Sequence, residues 1–394
     1  MSTRPLDGLT VIALEHAIAA PFCTRQLADL GARVIKIERP GQGDFARAYD
    51  QRAQGLSSHF VWTNRSKESL CLDLKQPEGQ SILQALLARA DVLVQNLAPG
   101  AAARMGLRQA DLSASCPRLI VCNISGYGED GPDHDRKAYD LLIQSEAGFL
   151  SVTGTPDARC KAGISIADIA AGMYAFSGIQ SALLQRHRTG QGSEVNVSML
   201  EALTEWMGFP MYYAYGGQSA PSRQGAAHAT IHPYGPFEAG DWQVVMLGLQ
   251  NEREWQVFCS QVLQTPALAT DPRFDTPAHR HEHREPLRRL ILDAFASLSA
   301  QEVRARLDQA QIANARVNDV AELWHHPQLQ ARDRYRRVDS PAGPLMALRP
   351  PATHSDHEAR MDAVPALGQH SQAILQELGY SHERIETLRQ AGVI

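Results

Sequence analysis

The sequence predicts an α/β protein whose main domain is a parallel β-sheet covered by helices on both faces. Short, apolar segments typical of buried strands alternate with longer segments of helical periodicity through about the first 200 residues. Gly- and Pro-containing turns separate several of these segments. Strand–helix–strand repetition of this kind indicates a parallel sheet, in which ligands bind beyond the carboxyl ends of the strands.

The predicted elements follow in regular order. Residues 9–15 form a strand, and residues 21–32 form a helix with Pro21 in its first turn and Gly31 near its end. The remaining predicted strands are 33–38, 68–74, 91–96, 118–125 and 193–199. The remaining predicted helices are 77–90, one that begins at about residue 99, one that begins at about residue 140, and 168–188.

The pattern changes after about residue 215. A Gly-, Ala- and Ser-rich stretch resembles a linker, and a strand at 242–249 and amphipathic helices follow it. We therefore divide the chain into a large domain (1–215), a small domain (225–325) and a C-terminal segment (326–394) that ends in two helices.

Composition excludes several classes of protein. With 38 Lys and Arg against 43 Asp and Glu, the net charge is −5, so there is no basic field for nucleic acid or an anionic membrane. None of the six cysteines has C-x-x-C spacing, which argues against a zinc ribbon. The apolar stretch 164–184 contains Asp168, which favours a buried helix over a membrane span. We expect a cytoplasmic protein without a leader peptide.

Asp168 is the first candidate for chemistry. It is flanked by apolar and small residues, so two interpretations are open: a helix N-cap, or a partly desolvated carboxylate nucleophile. In the second interpretation its small neighbours leave room for a substrate; they are Ala167, Ala170, Ala171 and Gly172.

The first strand–helix loop, EHAIAAP, has no G-x-G-x-x-G, so a nicotinamide or flavin cofactor in the usual place is not expected. Its alanines permit either a close ligand or close packing. Basic residues near the strand ends are either solvated surface charge or phosphate ligands; they are Lys36, Arg39, Lys75, Arg104 and Lys137. The histidine pairs 279/283, 325/326 and 354/357 do not complete a metal site, and no metal is predicted.

Several motifs in order resemble the class III CoA-transferases, a superfamily that includes formyl-CoA transferase, carnitine CoA-transferase and α-methylacyl-CoA racemase. The resemblance covers nearly the whole chain. Its motifs are LEHAIAAPFCTRQLADLGARVIKIERPGQGDFAR, SLCLDLKQPEG, VQNLAPGAAARMG, ISGYGEDGP, KAYDLLIQSEAG, ADIAAGMYA, TGQGSEVNVSML and the closing PALGQHSQAILQELGYSHERIETLRQAGVI.

This resemblance implies a Rossmann-like large domain completed by both chain ends, a smaller α+β domain, and an interlocked ring-like homodimer. It places Asp168 at the position of the catalytic aspartate. It implies CoA thioesters as substrates and no permanently bound cofactor. The positions that match its CoA contacts are Ala17, Ile18, Ala19, Arg39, Leu72, Asp73, Leu74, Lys75, Asn96, Leu97, Ala101, Arg104, Lys137 and Met199.

Positions at which this chain differs from particular branches of the superfamily limit the reactions that it is expected to catalyse. Where the racemase branch has a histidine, this chain has Tyr139, which removes one acid/base group. Ile18 stands where formyl-CoA transferase has Gln, and the stretch MLGLQNE holds one Gly in place of a glycine-rich loop, which argues against oxalate/formate exchange.

The motifs look more like the branch that uses succinyl-CoA with C4–C5 dicarboxylates, and we expect itaconate as acceptor, then mesaconate, malate or citramalate. A cationic clamp would bind the distal carboxylate. Its candidates are Arg47, Arg223 and His228, and the alternative for Arg47 is a salt bridge to a neighbour such as Asp44. An acyl-CoA racemase or isomerase, an intramolecular CoA-transferase and a non-enzymatic CoA-binding protein remain open.

Overall fold

The computed structural model describes residues 4–394; residues 1–3, where the predicted large domain begins, lie outside the described residues. Its main feature is a six-stranded, wholly parallel sheet. The strands are β1 (Thr10–Leu14), β2 (Arg33–Glu38), β3 (Lys67–Cys71), β4 (Val92–Gln95), β5 (Ile120–Ser125) and β6 (Glu194–Ser198). They lie in the order β3-β2-β1-β4-β5-β6, so the direction of winding reverses between β1 and β4.

Residues 4–213 and 327–394 contain thirteen α-helices, most of them short, and residues 149–152 and 209–213 belong to the second compact unit described below. They are α1 (Ala19–Asp29), α2 (Ser58–Asn64), α3 (Pro77–Leu87), α4 (Ala101–Arg104), α5 (Gln109–Leu112), α6 (Asp140–Glu146), α7 (Phe149–Val152), α8 (Ile166–Thr189), α9 (Met199–Trp206) and α10 (Gly208–Tyr213), and, later in the chain, α16 (Pro327–Ala331), α17 (Ser371–Glu377) and α18 (His382–Gln390).

All six predicted strands are present; β2 has the predicted bounds, and the ends of the other strands differ from the predicted ones by at most three residues. The largest difference is at β3, which ends at Cys71 rather than at residue 74, because Asp73 accepts the N–H of Lys75 and turns the chain there. The helix predicted from Pro21 begins two residues earlier, at Ala19. The short helix α2 was not predicted.

Helices cover both faces of the sheet. On one face, alternate strand residues such as Ile12, Ile35 and Leu93 form a core with α3 and the C-terminal helices α17 and α18. On the other face, α1 packs against α8, and α8 packs against β5 and β6. The central strands are therefore buried on both faces, as in parallel sheets generally, whereas the edge strand β6 is partly exposed.

The C-terminal segment covers the outer edge of β3. Ser69 donates its N–H to His370 Nδ1, Cys71 donates to Ser371 Oγ, and Asp73 donates to the carbonyl of Val393. Side chains and irregular backbone thus satisfy an edge that would otherwise be left unpaired. A hairpin of β10 (Tyr335–Val338) and β11 (Leu345–Leu348) lies in the same part of the chain.

Residues between these parts form an antiparallel three-stranded sheet with its own core. The strands are β7 (Tyr234–Glu238), β8 (Val244–Gly248) and β9 (Asn314–Arg316). Trp255, Phe258 and Phe295 lie in this core. The helices around it are α11 (Glu252–Val257), α12 (Pro277–Glu282), α13 (Arg284–Phe295), α14 (Ala300–Gln309) and α15 (Val320–Leu323).

The chain forms two compact units. The first comprises the described chain up to Gly148, together with Ala162–Gly208 and Gln328–Ile394. The second comprises Phe149–Lys161 and Phe209–Pro327. Within residues 4–394, no helix combines the length and the apolar character needed to cross a lipid bilayer.

Candidate active site

The carboxyl ends of the six parallel strands meet at one edge of the sheet, and the residues predicted for CoA follow those ends. Ala17–Ala19 follow β1, Arg39 follows β2, and Leu72–Lys75 follow β3. Asn96, Leu97, Ala101 and Arg104 follow β4, Lys137 lies in the loop after β5, and Met199 follows β6 directly. The fold therefore places the predicted set on the ligand-binding edge of such a sheet. Their contacts with CoA remain a prediction.

Four of the basic side chains at this edge have no ionic partner. Arg39, Lys75, Arg104 and Lys137 are exposed, and none of them forms a salt bridge within residues 4–394. Unpaired cations of this kind are available for phosphate groups.

Lys36 is different, because it is completely buried. Its Nζ lies 2.8 Å from Asp44 Oδ2 and 3.3 Å from Glu15 Oε1. Burial opposes its charge, but the carboxylates of Glu15 and Asp44 outweigh burial and raise the pKa of Lys36. The interpretation of Lys36 as a surface cation or phosphate ligand is therefore wrong.

Asp168 is the third residue of α8 and does not cap the helix, whose N-cap is Ser165. The carboxylate is half-buried, and no described residue forms a hydrogen bond or ion pair with it. Burial, and then the nearby charge of Asp140, raise the pKa of Asp168 to about 7. An unpaired, partly desolvated carboxylate is suited to nucleophilic attack.

Asp140, the first residue of α6, accepts free backbone N–H groups at the N-terminus of α8. Its Oδ1 accepts the backbone N–H of Ala167 at 2.8 Å and that of Asp168 at 3.3 Å. Its Oδ2 accepts the side-chain amide of Gln144 at 2.6 Å, and Gln144 in turn accepts the N–H of Ala162. Sequence reasoning did not identify Asp140 as part of the site, although it lies within the motif KAYDLLIQ.

Two tyrosines belong to the same neighbourhood. Tyr49 is about half exposed, and burial together with the charges of Asp44 and Asp168 raises its pKa to about 12. Tyr139 also contributes to this shift. The Tyr49 phenol is therefore protonated near neutral pH and can donate a hydrogen bond.

The loop between β1 and α1 is held by side chains from two neighbouring loops. Asn96 Oδ1 accepts the N–H of His16, and Asn96 Nδ2 donates to the carbonyl of His16, both at 2.9 Å. Ala17 has a φ of 61° and donates its N–H to Asp44 Oδ1. The next N–H groups, those of Ile18 and Ala19, have no hydrogen-bond partner in the described part of the chain, although both residues are buried.

Gly172 brings this loop close to the helix of Asp168. A Cβ at Gly172 would lie 2.6 Å from the carbonyl oxygen of Ala19 and 3.1 Å from Phe22 Cδ1. Ala167, Ala170 and Ala171 are also completely buried. Gly172 thus permits close packing of α1 on α8, whereas the expectation that the small neighbours of Asp168 leave room for a substrate stays a prediction.

Arg47, a candidate for the carboxylate clamp, is committed to other partners. Its Nε and Nη2 donate to the two carboxylate oxygens of Glu38, each at 2.8 Å, and its Nη1 donates to the carbonyl of Pro365. It also lies over the ring of Phe60. The salt bridge considered as the alternative is therefore present, with Glu38 as the partner instead of Asp44.

Arg223 and His228 lie in the second compact unit, whereas Asp168 lies in the first. Arg223 donates to the carbonyls of Ser151, Thr155 and Pro156. His228 Nδ1 accepts the N–H groups of Thr230 and Ile231, and its ring stacks on Tyr234. Because Nδ1 acts as an acceptor, we assign a ring proton to Nε2, which makes Nε2 a hydrogen-bond donor in this geometry.

The histidines considered as metal ligands have other contacts. His279 Nδ1 lies 2.7 Å from Asp275 Oδ1. His354 and His357 stack on each other, and with Asp356 they form the one group in residues 4–394 whose ligand atoms lie close enough together to hold a metal ion.

A family model described as CoA-transferase family III matches residues 6–371 of the chain. The chain belongs to CoA-transferase family III. Its α/β fold is similar to that of a solved CAIB/BAIF family protein from Brucella suis. The two structures superpose with a TM-score of 0.84 and 33% sequence identity, over 96% of this chain and 100% of that chain.

The curated relatives of this family III member include succinyl-CoA-dependent transferases. The succinyl-CoA:glutarate CoA-transferase of Mus musculus is 32% identical over 398 residues, covering 100% of this chain and 91% of the relative. The succinyl-CoA–D-citramalate CoA-transferase of Chloroflexus aurantiacus is 32% identical over 399 residues, covering 99% and 98%. Others are named for mesaconate and oxalate. The protein is thus a CoA-transferase, and the racemase alternative is not favoured.

Proposed function

We propose that this family III protein transfers CoA from succinyl-CoA to a small dicarboxylate, with itaconate as the first expected acceptor, followed by mesaconate, malate and citramalate. The observation that carries the proposal is Asp168, an unpaired and half-buried carboxylate in the first turn of α8. Relatives named for succinyl-CoA and C5 dicarboxylates support the choice of donor and acceptor class. Glutarate therefore joins the acceptors to be tested.

The proposed reaction begins with attack of an Asp168 carboxylate oxygen on the thioester carbonyl of succinyl-CoA. The C–S bond breaks and CoA departs as the thiolate, so that Asp168 and the succinyl group form a mixed anhydride. The thiolate then attacks the Asp168 carbonyl and releases succinate, which leaves an aspartyl-CoA thioester. The acceptor carboxylate attacks this thioester and releases the thiolate, and the thiolate attacks the acceptor's acyl carbonyl in the second anhydride. This restores Asp168 and yields the new acyl-CoA without net proton transfer.

The proposed CoA site uses the cations at the edge of the sheet. Arg39, Lys75, Arg104 and Lys137 would bind phosphate groups, since none of them is neutralised by a described carboxylate. Small side chains of the β1–α1 loop would allow the thioester to approach. CoA enters and leaves as a substrate, and the proposal includes no permanently bound cofactor.

The candidates for a side chain that binds the distal carboxylate of the acceptor stay Arg47, Arg223 and His228, each considered by itself. We rank the three by how many hydrogen bonds their side-chain donors already make within the protein. Arg47 and Arg223 each donate to three acceptors within the protein, whereas the Nε2–H assigned to His228 has no partner among the described residues. His228 is therefore the first of the three to substitute.

We also propose that the protein is a homodimer. Five large apolar or aromatic side chains are exposed in residues 209–215, a density that is typical of an association surface. They are Phe209, Met211, Tyr212, Tyr213 and Tyr215. Light scattering of the purified protein during size-exclusion chromatography tests this, and a monomeric mass would contradict it.

A mass-spectrometric assay of acyl-CoA tests the function. Succinyl-CoA is combined separately with itaconate, mesaconate, malate, citramalate, glutarate and oxalate. We expect a new acyl-CoA with at least one C4–C5 acid, formed in equal amount to the succinyl-CoA lost. Asp168→Asn should abolish this exchange, and Asp293→Asn, which changes an exposed aspartate on α13, should not.

The other outcomes assign the alternatives. Exchange with oxalate alone would replace the proposed acceptor class. Succinate is symmetric, so an intramolecular transferase would be seen only with an unsymmetrical thioester: mesaconyl-CoA would change into its positional isomer without any added acid. Entry of solvent deuterium at the α-carbon would indicate an isomerase. Borohydride reduction after succinyl-CoA is added should convert Asp168 to homoserine if the aspartyl thioester forms. Full turnover by Asp168→Asn would overturn the mechanism.

A further inference from the structure

The β1–α1 loop contains an alanine in a backbone conformation that usually requires glycine. Ala17 has a φ of 61°, in the left-handed region that is sterically costly for residues with a Cβ. Its N–H donates to Asp44 Oδ1 at 3.1 Å. A side chain 27 residues away therefore holds the loop in a shape that its own sequence does not favour.

Asp44 is itself fixed on all sides. Its carboxylate is completely buried, Oδ1 also accepts the N–H of Ala46 at 2.9 Å, and Oδ2 accepts Lys36 Nζ at 2.8 Å. Lys36 is balanced on its other side by Glu15. A buried, charge-paired carboxylate cannot rotate without leaving a buried charge unpaired, so the position of its Oδ1 is well determined.

The loop that Asp44 holds lies against the helix of Asp168. Directly after Ala17, the chain enters α1. The carbonyl oxygen of Ala19 lies 2.6 Å from the position that a Cβ on Gly172 would take, and Gly172 is one helical turn beyond Asp168. The conformation of Ala17 thus sets where the loop stands relative to the proposed nucleophile.

We propose that Asp44 is a positioning residue for CoA transfer: through its bond to the N–H of Ala17 it holds the β1–α1 loop where the thioester can meet Asp168. This inference rests on the proposed function. Asp44 does not itself contact the reacting atoms. It acts on the attack step, so its loss should lower kcat and leave the KM for succinyl-CoA, which depends largely on the distant phosphate contacts, little changed.

Two variants test the inference. Asp44→Ala removes the bond to Ala17 but leaves Lys36 with one partner fewer. The double variant Asp44→Ala/Lys36→Met removes both charges of the buried pair together, so that neither charge is left buried without its partner and the protein is better able to fold. Asp50→Ala is the matched control, because Asp50 likewise accepts backbone N–H groups, those of Arg52 and Ser58, in the same region of the chain.

The first measurement is amide hydrogen exchange of the peptide that contains Ala17. We expect faster exchange in both Asp44 variants and unchanged exchange in Asp50→Ala. The second is steady-state kinetics, in which we expect kcat of the double variant to fall about tenfold, the loss that an unheld left-handed alanine would produce. The KM for succinyl-CoA should stay close to that of the wild type.

Adding Ala17→Gly to the double variant supplies a rescue. Glycine adopts positive φ without the steric cost, so the triple variant should recover about threefold or more of the lost kcat. A role in general stability alone would lower the melting temperature and would not respond to this glycine.

Unchanged hydrogen exchange at Ala17 in the double variant would show that Asp44 does not hold the β1–α1 loop. Faster exchange together with a wild-type kcat would show that holding the loop does not position the thioester. Failure of the proposed function is seen separately, because the unaltered protein would then transfer CoA to no acid at all.

Discussion

Asp140 Oδ1 lies 3.3 Å from the backbone nitrogen of Asp168 and 2.8 Å from that of Ala167, so one carboxylate closes the N-terminus of the helix that carries the other. The contact has two opposing effects. Its hydrogen bonds fix the first turn of α8, whereas its charge, added to burial, disfavours ionisation of Asp168 and raises its pKa to about 7. The position and the proton affinity of the proposed nucleophile are therefore set together.

This relationship predicts the pH dependence of turnover. Because the ionised carboxylate is the proposed nucleophile, kcat/KM for succinyl-CoA should rise with pH up to an apparent pKa near 7. Asp140→Asn keeps an oxygen that can accept from α8 but removes the charge, so the acid limb should move to lower pH. Initial rates between pH 5 and 9 measure this, with Asp130→Asn as the control. An acid limb unaffected by Asp140→Asn would show that burial alone sets the pKa.

Asp140→Ala should be worse than Asp140→Asn at every pH, because it also removes the helix cap. Loss of such a cap typically costs about 1 kcal/mol of stability. Thermal melts of both variants would show this difference, and equal melting temperatures would contradict a capping role for Asp140.

Asp168 should destabilise the folded protein above acidic pH. Its folded-state pKa of about 7 exceeds the ordinary value of 3.8, so the folded state binds the proton more tightly than the unfolded state. Stability supplied by the protonated form is complete below about pH 4 and is lost as the pH rises toward 7. The melting temperature of Asp168→Asn minus that of the wild type should therefore grow between pH 4 and 8. A constant difference would contradict the raised pKa.

Gly172→Ala should separate α1 from α8. The new Cβ would lie 2.6 Å from the backbone oxygen of Ala19, so backbone must move. We expect kcat to fall about tenfold or more, because a displacement on the order of 1 Å at the reacting groups is sufficient for that. Gly163→Ala, in the segment before α8, is the control, since its Cβ would meet no atom within 4 Å. Equal kcat losses in both variants would argue against a specific role for Gly172.

Replacing Arg39, Lys75, Arg104 or Lys137 singly by Gln should raise the KM for succinyl-CoA and leave kcat nearly unchanged. We expect about a threefold to tenfold effect for each, weaker at higher ionic strength, since exposed charges are screened by salt. Arg289→Gln, an exposed arginine on α13, is the control. Unchanged KM values in all four variants would show that the CoA phosphates do not bind at this edge of the sheet.

Local patterns in the sequence determined much of this fold. Apolar runs and turn residues predicted all six strands of the parallel sheet, most clearly the central ones, because a strand buried on both faces is largely apolar whatever it pairs with. They also placed Asp168 at the start of a long helix, and ordered motifs identified the CoA-transferase family. The antiparallel strand β7 was missed, since its Tyr-Gly-Pro-Phe-Glu sequence contains residues that usually break strands.

Only the tertiary structure decided which polar side chains meet. Nothing local in the sequence pairs Asp140 with residues 27 and 28 positions later, or Asp44 with Ala17. The same limit explains Lys36 and Arg47, which have the sequence context of ligand-binding cations but are held by Glu15, Asp44 and Glu38. Hydrophobic periodicity reports burial along one element, whereas a salt bridge depends on the distance between two elements, which chain packing alone sets.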